Sequence, residues 1–212
     1  MPPDAELRAT VVREVDTPHG PARVHSHLVR KARGGLVLGH GAGGGVAARD
    51  LLAATEAAVG QELTVVLVEQ PYRVLGRRSP APAAQLDTAW RAVVGALRAD
   101  ELRGLRLLVG GRSSGARVAC RTAGAVGAAG VLCLAFPLVP PARRSGGQPV
   151  SRLPELDAVS VPTLVVQGAN DRFGIPPAGP QRTVAVVPGD HALRSGLAEL
   201  REAVEAWLGD VL

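Results

Sequence analysis

A chain of 212 residues with 46% apolar side chains is long enough to bury a core of its own, and residues 1–212 read as a single domain. Aromatic residues are only 2% of the chain and the net charge of +5 comes from scattered arginines, Lys31 being the one lysine; a stacked, basic nucleic-acid surface is therefore not expected. The opening "MPPDAELRAT" has no apolar leader and the run from Ala123 to Ala142 is broken by glycines and prolines, so no membrane span is expected and the cytoplasm is the implied compartment.

In chain order, short apolar runs alternate with helical patterns, as in a parallel sheet covered by helices. "ARVHSHLV" (22–29) alternates apolar and polar residues and predicts a half-exposed edge strand. "GLVLGH" (35–40) and "TVVLVEQ" (64–70) are nearly continuous and predict strands covered on both faces. Leu86, Ala89, Trp90, Val93, Val94 and Leu97 then form one apolar stripe at helical spacing. "LRLLVGG" (105–111) predicts the next strand, "SGARVACRTA" (114–123) a helix of small residues, and "GVLCLAF" (130–136) another strand. Residues 137–154, "PLVPPARRSGGQPVSRLP", are irregular and suit either a reduced cap over a site or a surface loop. Two more covered strands, "VPTLVVQG" (161–168) and "RTVAVVPG" (182–189), precede a C-terminal stripe of Leu197, Leu200, Val204, Trp207 and Val211. Cys120 and Cys133 fall in apolar surroundings and are expected as buried free thiols. His25 and His27 mark a strand face unless a third ligand joins them, so no metal is expected.

In parallel sheets ligands bind beyond the carboxyl ends of the strands. One such end reads "GGRSSGAR" (110–117), and the question is which serine matters. A G-x-S-x-G corner needs glycine two places before and two after its serine, because a Cβ there would meet neighbouring backbone. Gly111 and Gly115 meet the test for Ser113, whereas Arg112 and Ala116 fail it for Ser114. A serine hydroxyl needs a base, and the base a carboxylate, in the chain order Ser, acid, His. Asp171 and His191 follow later strands in that order. Asp190 is better placed to cap the following helix, and Asp157 lies before its strand, at the wrong edge. The backbone N–H groups of Ser114 and of Ala42, in the loop "HGAGGG", are the candidate oxyanion donors, with His40 as a loop-stabilising residue. Arg112, Tyr72 and Arg73 are the candidate substrate contacts, the arginines toward a free acid group; the pairs Arg77-Arg78 and Arg143-Arg144 offer further positive charge.

With these features in place, the sequence resembles the α/β-hydrolase superfamily over nearly its whole length, and more narrowly its small dienelactone-hydrolase-like group, which includes testis-expressed and NSL-complex-subunit hydrolase-like proteins. The resemblance rests on "LGHGAGGG", "EQPYRVLGRRSPAPAAQLDTAW", "GGRSSGARVA", "FPLVPPARR", "VPTLVVQGANDRFG" and "PGDHALR" occurring in that order. It implies an α/β-hydrolase fold with a minimal lid or none, Ser113, Asp171 and His191 as a catalytic triad, and no cofactor. It names no natural substrate; the residues suit a small ester or thioester. Two other functions stay open at this point. "GHGAGG" (39–44) after a strand, with Glu69 ending the next, fits the dinucleotide fingerprint of an oxidoreductase, and a hydrolase fold can also serve as a non-catalytic interaction protein.

Overall fold

A computed structural model describes residues 7–140 and 149–212. Its strands are β1 (Leu7–Val15), β2 (Ala22–Val29), β3 (Gly34–Gly39), β4 (Leu63–Glu69), β5 (Arg106–Arg112), β6 (Gly130–Leu134), β7 (Thr163–Gly168) and β8 (Arg182–Val187). They form one eight-stranded sheet in the order β1-β2-β4-β3-β5-β6-β7-β8. Only β2 runs against its neighbours, and every pair from β4 to β8 is parallel. The helices are α1 (Arg49–Gly60), α2 (Pro71–Val74), α3 (Ala83–Ala99), α4 (Ser114–Val126), α5 (Leu153–Asp157) and α6 (Leu197–Val211).

Apolar runs become covered strands because each face of the sheet receives alternate residues. Val37, Val66, Val109, Val131 and Val165 point to one side and pack with α3 and α4 residues such as Trp90, Val94 and Ala119. Leu36, Leu38, Val65, Leu108, Leu132 and Leu164 point to the other and meet Leu51 and Ala54 of α1 with Val204 and Leu208 of α6. Small residues on α4 let it lie close to the sheet, as Ala116 and Ala119 are fully buried. The helical stripe expected at 86–97 is buried along its length, and that at 197–211 is buried from Leu200 onward.

Two expectations change, and not every element was foreseen. β2 is not the edge strand, because β1 pairs along its outer side and takes that place. The sequence of β1, "LRATVVREV", does not alternate, and Val11 and Val12 are both exposed, so it lacks the pattern by which a half-buried strand is recognised. Among the described residues β8 pairs with β7 alone, and Val186 is about half exposed rather than covered on both faces. α1 was not anticipated at all, since its alanine-rich face gives little contrast. Within the irregular stretch, residues 141–148, including Arg143 and Arg144, lie outside the described residues; α5 begins at Leu153.

The carboxyl ends of β3, β4, β5, β7 and β8 open at one rim of the sheet, and the strand order reverses between β3 and β5, whose onward connections leave in opposite directions. The turn carrying Lys31, between β2 and β3, lies at the opposite rim, because β2 runs antiparallel to β4. Among the described residues no helix is long and apolar enough to cross a membrane.

Candidate active site

Ser113 sits at the corner between β5 and α4 with φ 52° and ψ −106°, a backbone conformation that non-glycine residues rarely adopt. Its neighbours explain how the corner is held. The Ser113 N–H donates to the Leu134 carbonyl at 2.9 Å, and a Cβ at Gly111 or Gly115 would collide with the Gly39 carbonyl oxygen. The glycines thus let α4 and β5 close on β3, which lifts the serine hydroxyl toward the open rim.

The hydroxyl meets His191, whose Nε2 lies 3.0 Å from Ser113 Oγ. His191 follows β8, and its Nδ1 lies 2.8 Å from Asp171 Oδ2 in the turn after β7. A carboxylate oxygen accepts, so Nδ1 carries the proton and Nε2 is left bare to accept from the serine. Asp171 is itself fixed: Oδ1 accepts from the Phe173 N–H at 2.9 Å, and Oδ2 also accepts from Gln167 Nε2 at 2.7 Å. The Phe173 ring packs against the imidazole, centroids 4.3 Å apart and tilted by 54°. Sequence reading did not single out Gln167 or Phe173. A glutamine wholly buried inside an apolar strand was the available signal for the first; the second carries no pattern of its own.

The loop after β3 is tied down from β4. The Gln70 N–H donates to His40 Nε2 at 3.1 Å, which fixes the proton on Nδ1, and Nδ1 donates to the Gly41 carbonyl at 2.8 Å. Burial holds the His40 pKa below its ordinary value, in keeping with a neutral ring that accepts on one side and donates on the other. Tyr72 Oη donates to the Ala42 carbonyl at 3.0 Å, and burial pushes the phenol pKa up to about 12.

The remaining sequence-predicted residues divide. Ser114 opens α4 directly behind Ser113, and Ala42 lies in the β3 loop, half-buried. Arg73 stands on α2, half-exposed, close enough for its charge to act on His40 and Tyr72. Arg112 was expected to face a substrate acid. Its guanidinium is instead turned to the protein: Nε lies 2.8 Å from Asp50 Oδ2, and Nη2 donates to the His191 carbonyl at 2.9 Å. Tyr72, likewise expected at the substrate, is 5% exposed and has its hydroxyl engaged with Ala42. Asp190 does not cap a helix as expected, because α6 begins only at Leu197 behind Gly196; its carboxylate accepts from the Ala192 N–H at 2.8 Å within the turn after β8, and Asp157 pairs with Arg182 at 3.0 Å at the far rim. Cys120 and Cys133 are buried and unlinked, their sulfurs 3.5 Å apart.

A family model for an alpha/beta hydrolase domain matches residues 32–193, three quarters of the chain and all of the elements described above from β3 to the turn bearing His191. The chain belongs to the alpha/beta hydrolase family. Solved structures agree at the level of the fold. A lidless α/β serine hydrolase from Xanthomonas campestris is 20% identical, with a TM-score of 0.76 over 99% of this chain and 98% of that one. Est1E from Butyrivibrio proteoclasticus is 14% identical, with a TM-score of 0.76 over 95% and 98%. A dienelactone hydrolase from Anabaena variabilis is 14% identical, with a TM-score of 0.73 over 96% and 98%. No curated protein matches the chain by sequence. The dinucleotide reading loses its footing in this hydrolase. The glycine loop runs on to Arg49 before α1 begins, so no helix N-terminus follows it directly, and Glu69 lies 3.2 Å from His25 Nε2.

Proposed function

We propose that this hydrolase cleaves small esters or thioesters through an acyl-enzyme formed on Ser113. The observation that carries the reading is the unbroken relay from Ser113 Oγ through His191 to Asp171, at 3.0 and 2.8 Å, with a single tautomer of His191 compatible with both contacts. In the first half-reaction His191 Nε2 takes the serine proton as Oγ attacks the carbonyl carbon, and Asp171 stabilises the imidazolium. The negative oxygen of the tetrahedral intermediate is received by the N–H groups of Ala42 and Ser114, and His191 then returns its proton to the leaving alcohol or thiol. Water, deprotonated by the same imidazole, releases the acid in the second half. No step calls for a cofactor. Half-exposed Phe173 and exposed Val139 and Ile175, on segments joined by the Val139 N–H to Phe173 carbonyl bond at 2.8 Å, give the rim beside Asp171 an apolar character suited to a short acyl chain. Two unlinked thiols this close together support work in the reducing cytoplasm.

The test is covalent. A fluorophosphonate should label the protein at Ser113, and a short p-nitrophenyl ester should be turned over. Ser113→Ala and His191→Ala should each lose turnover while keeping the parent melting temperature. Parent-level turnover in either variant would overturn the assignment.

A further inference from the structure

Arg112 joins three separate parts of the fold around the site. It ends β5 one place before Ser113, yet its side chain reaches both α1 and the turn after β8. Asp50, in the first turn of α1, is fully buried, and burial raises its pKa against the opposing charge of Arg112. A carboxylate in that place calls for a cation beside it. Neutralising Asp50 needs only one charge, however, and a lysine would supply it. The guanidinium does more: Nε forms an ion pair with Asp50 at 2.8 Å while Nη2 donates to the His191 backbone carbonyl at 2.9 Å. Its Nη1 also lies beside Gly41 in the oxyanion loop, only 2.7 Å from where a Cβ would stand. A planar fork can span these partners in a way a point charge cannot.

We infer that Arg112 is a positioning residue, a strut anchored on Asp50 that sets the height of the His191 turn and of the β3 loop relative to Ser113. The inference rests on the catalytic reading above. His191 stands on the turn after β8, which is tied to the end of β7 by the Asn170 N–H to Gly189 carbonyl bond at 2.9 Å, and among the described residues β8 has no strand on its outer side. The Asp50–Arg112 pair adds a second tie, from the middle of the sheet to the His191 carbonyl itself. Displacement of a reacting group by about 1 Å costs on the order of 100-fold in rate, so loss of the strut should be read in kcat.

Two variants separate positioning from stability. Arg112→Lys keeps a cation beside Asp50 but offers one nitrogen, and Asp50→Asn with Arg112→Met removes both charges together. Each is expected to melt near the parent temperature and to bind a p-nitrophenyl ester with KM within about threefold, while kcat falls roughly 10- to 100-fold. Fluorophosphonate labelling should slow by the same factor. If either variant, folded and melting like the parent, keeps parent kcat and labelling rate, Arg112 serves only to neutralise Asp50 and the inference fails. If KM rises while kcat holds, Arg112 contacts the substrate and the inference fails as well. Failure of the catalytic reading looks different, because Ser113→Ala would then turn over like the parent.

Discussion

Asp171 accepts three hydrogen bonds through two oxygens, and all three donors are fixed by the fold. An amide of the same shape cannot satisfy them. If the oxygen of an asparagine faces the Phe173 N–H, its NH2 meets the NH2 of Gln167 and forces His191 to present Nδ1 as an acceptor. The proton then sits on Nε2, facing the serine, and the base is lost. Asp171→Asn is therefore expected to lower kcat on the order of 10⁴-fold with little change in KM, measured on the same p-nitrophenyl ester; a variant that matches the parent would show that another carboxylate orients the imidazole. Sequence reading could reach this residue because strand-end position and chain order are written in one dimension. It could not tell that Arg112 turns inward, because its partner Asp50 lies 62 positions away in a helix that gave no signal.

At the scale of elements, α3 shows how a helix serves the site without touching it. Its stripe is buried from Leu86 to Leu97, and Trp90 at the centre is wholly inaccessible. The indole edge lies 3.3 Å from the point where a Cβ would sit on Gly39, so it supports the end of β3 from below. Trp90→Ala should cost about 3–5 kcal/mol in urea unfolding, since the void would be walled by sheet residues that cannot collapse. A loss under about 1 kcal/mol would mean that α3 settles into the gap. Such amphipathic elements were legible, as were the central strands, because burial on one or both faces imposes a period. β1 and α2 were not. The first is an exposed margin with no period to impose, and the second is a four-residue turn that proline begins.

For the whole molecule, composition makes one titration unusually clean. The chain has a single tyrosine and a single lysine. Burial of Tyr72 raises its folded pKa from 10.0 to about 12, so the neutral phenol is favoured by folding. Its contribution to stability is fully present below pH 10 and is lost as pH rises toward 12. Tyrosinate absorbance should accordingly appear late, near 12, and the melting temperature should fall across that interval, with Tyr72→Phe flattening the fall. Tyrosinate forming near pH 10 in the folded protein would contradict the burial of this ring. The lysine has a consequence of its own. Lys31 is exposed in the turn between β2 and β3, on the rim away from Ser113. It is the sole lysine of the chain, so every copy coupled to a bead or electrode through its side chain would sit in one orientation, mouth outward.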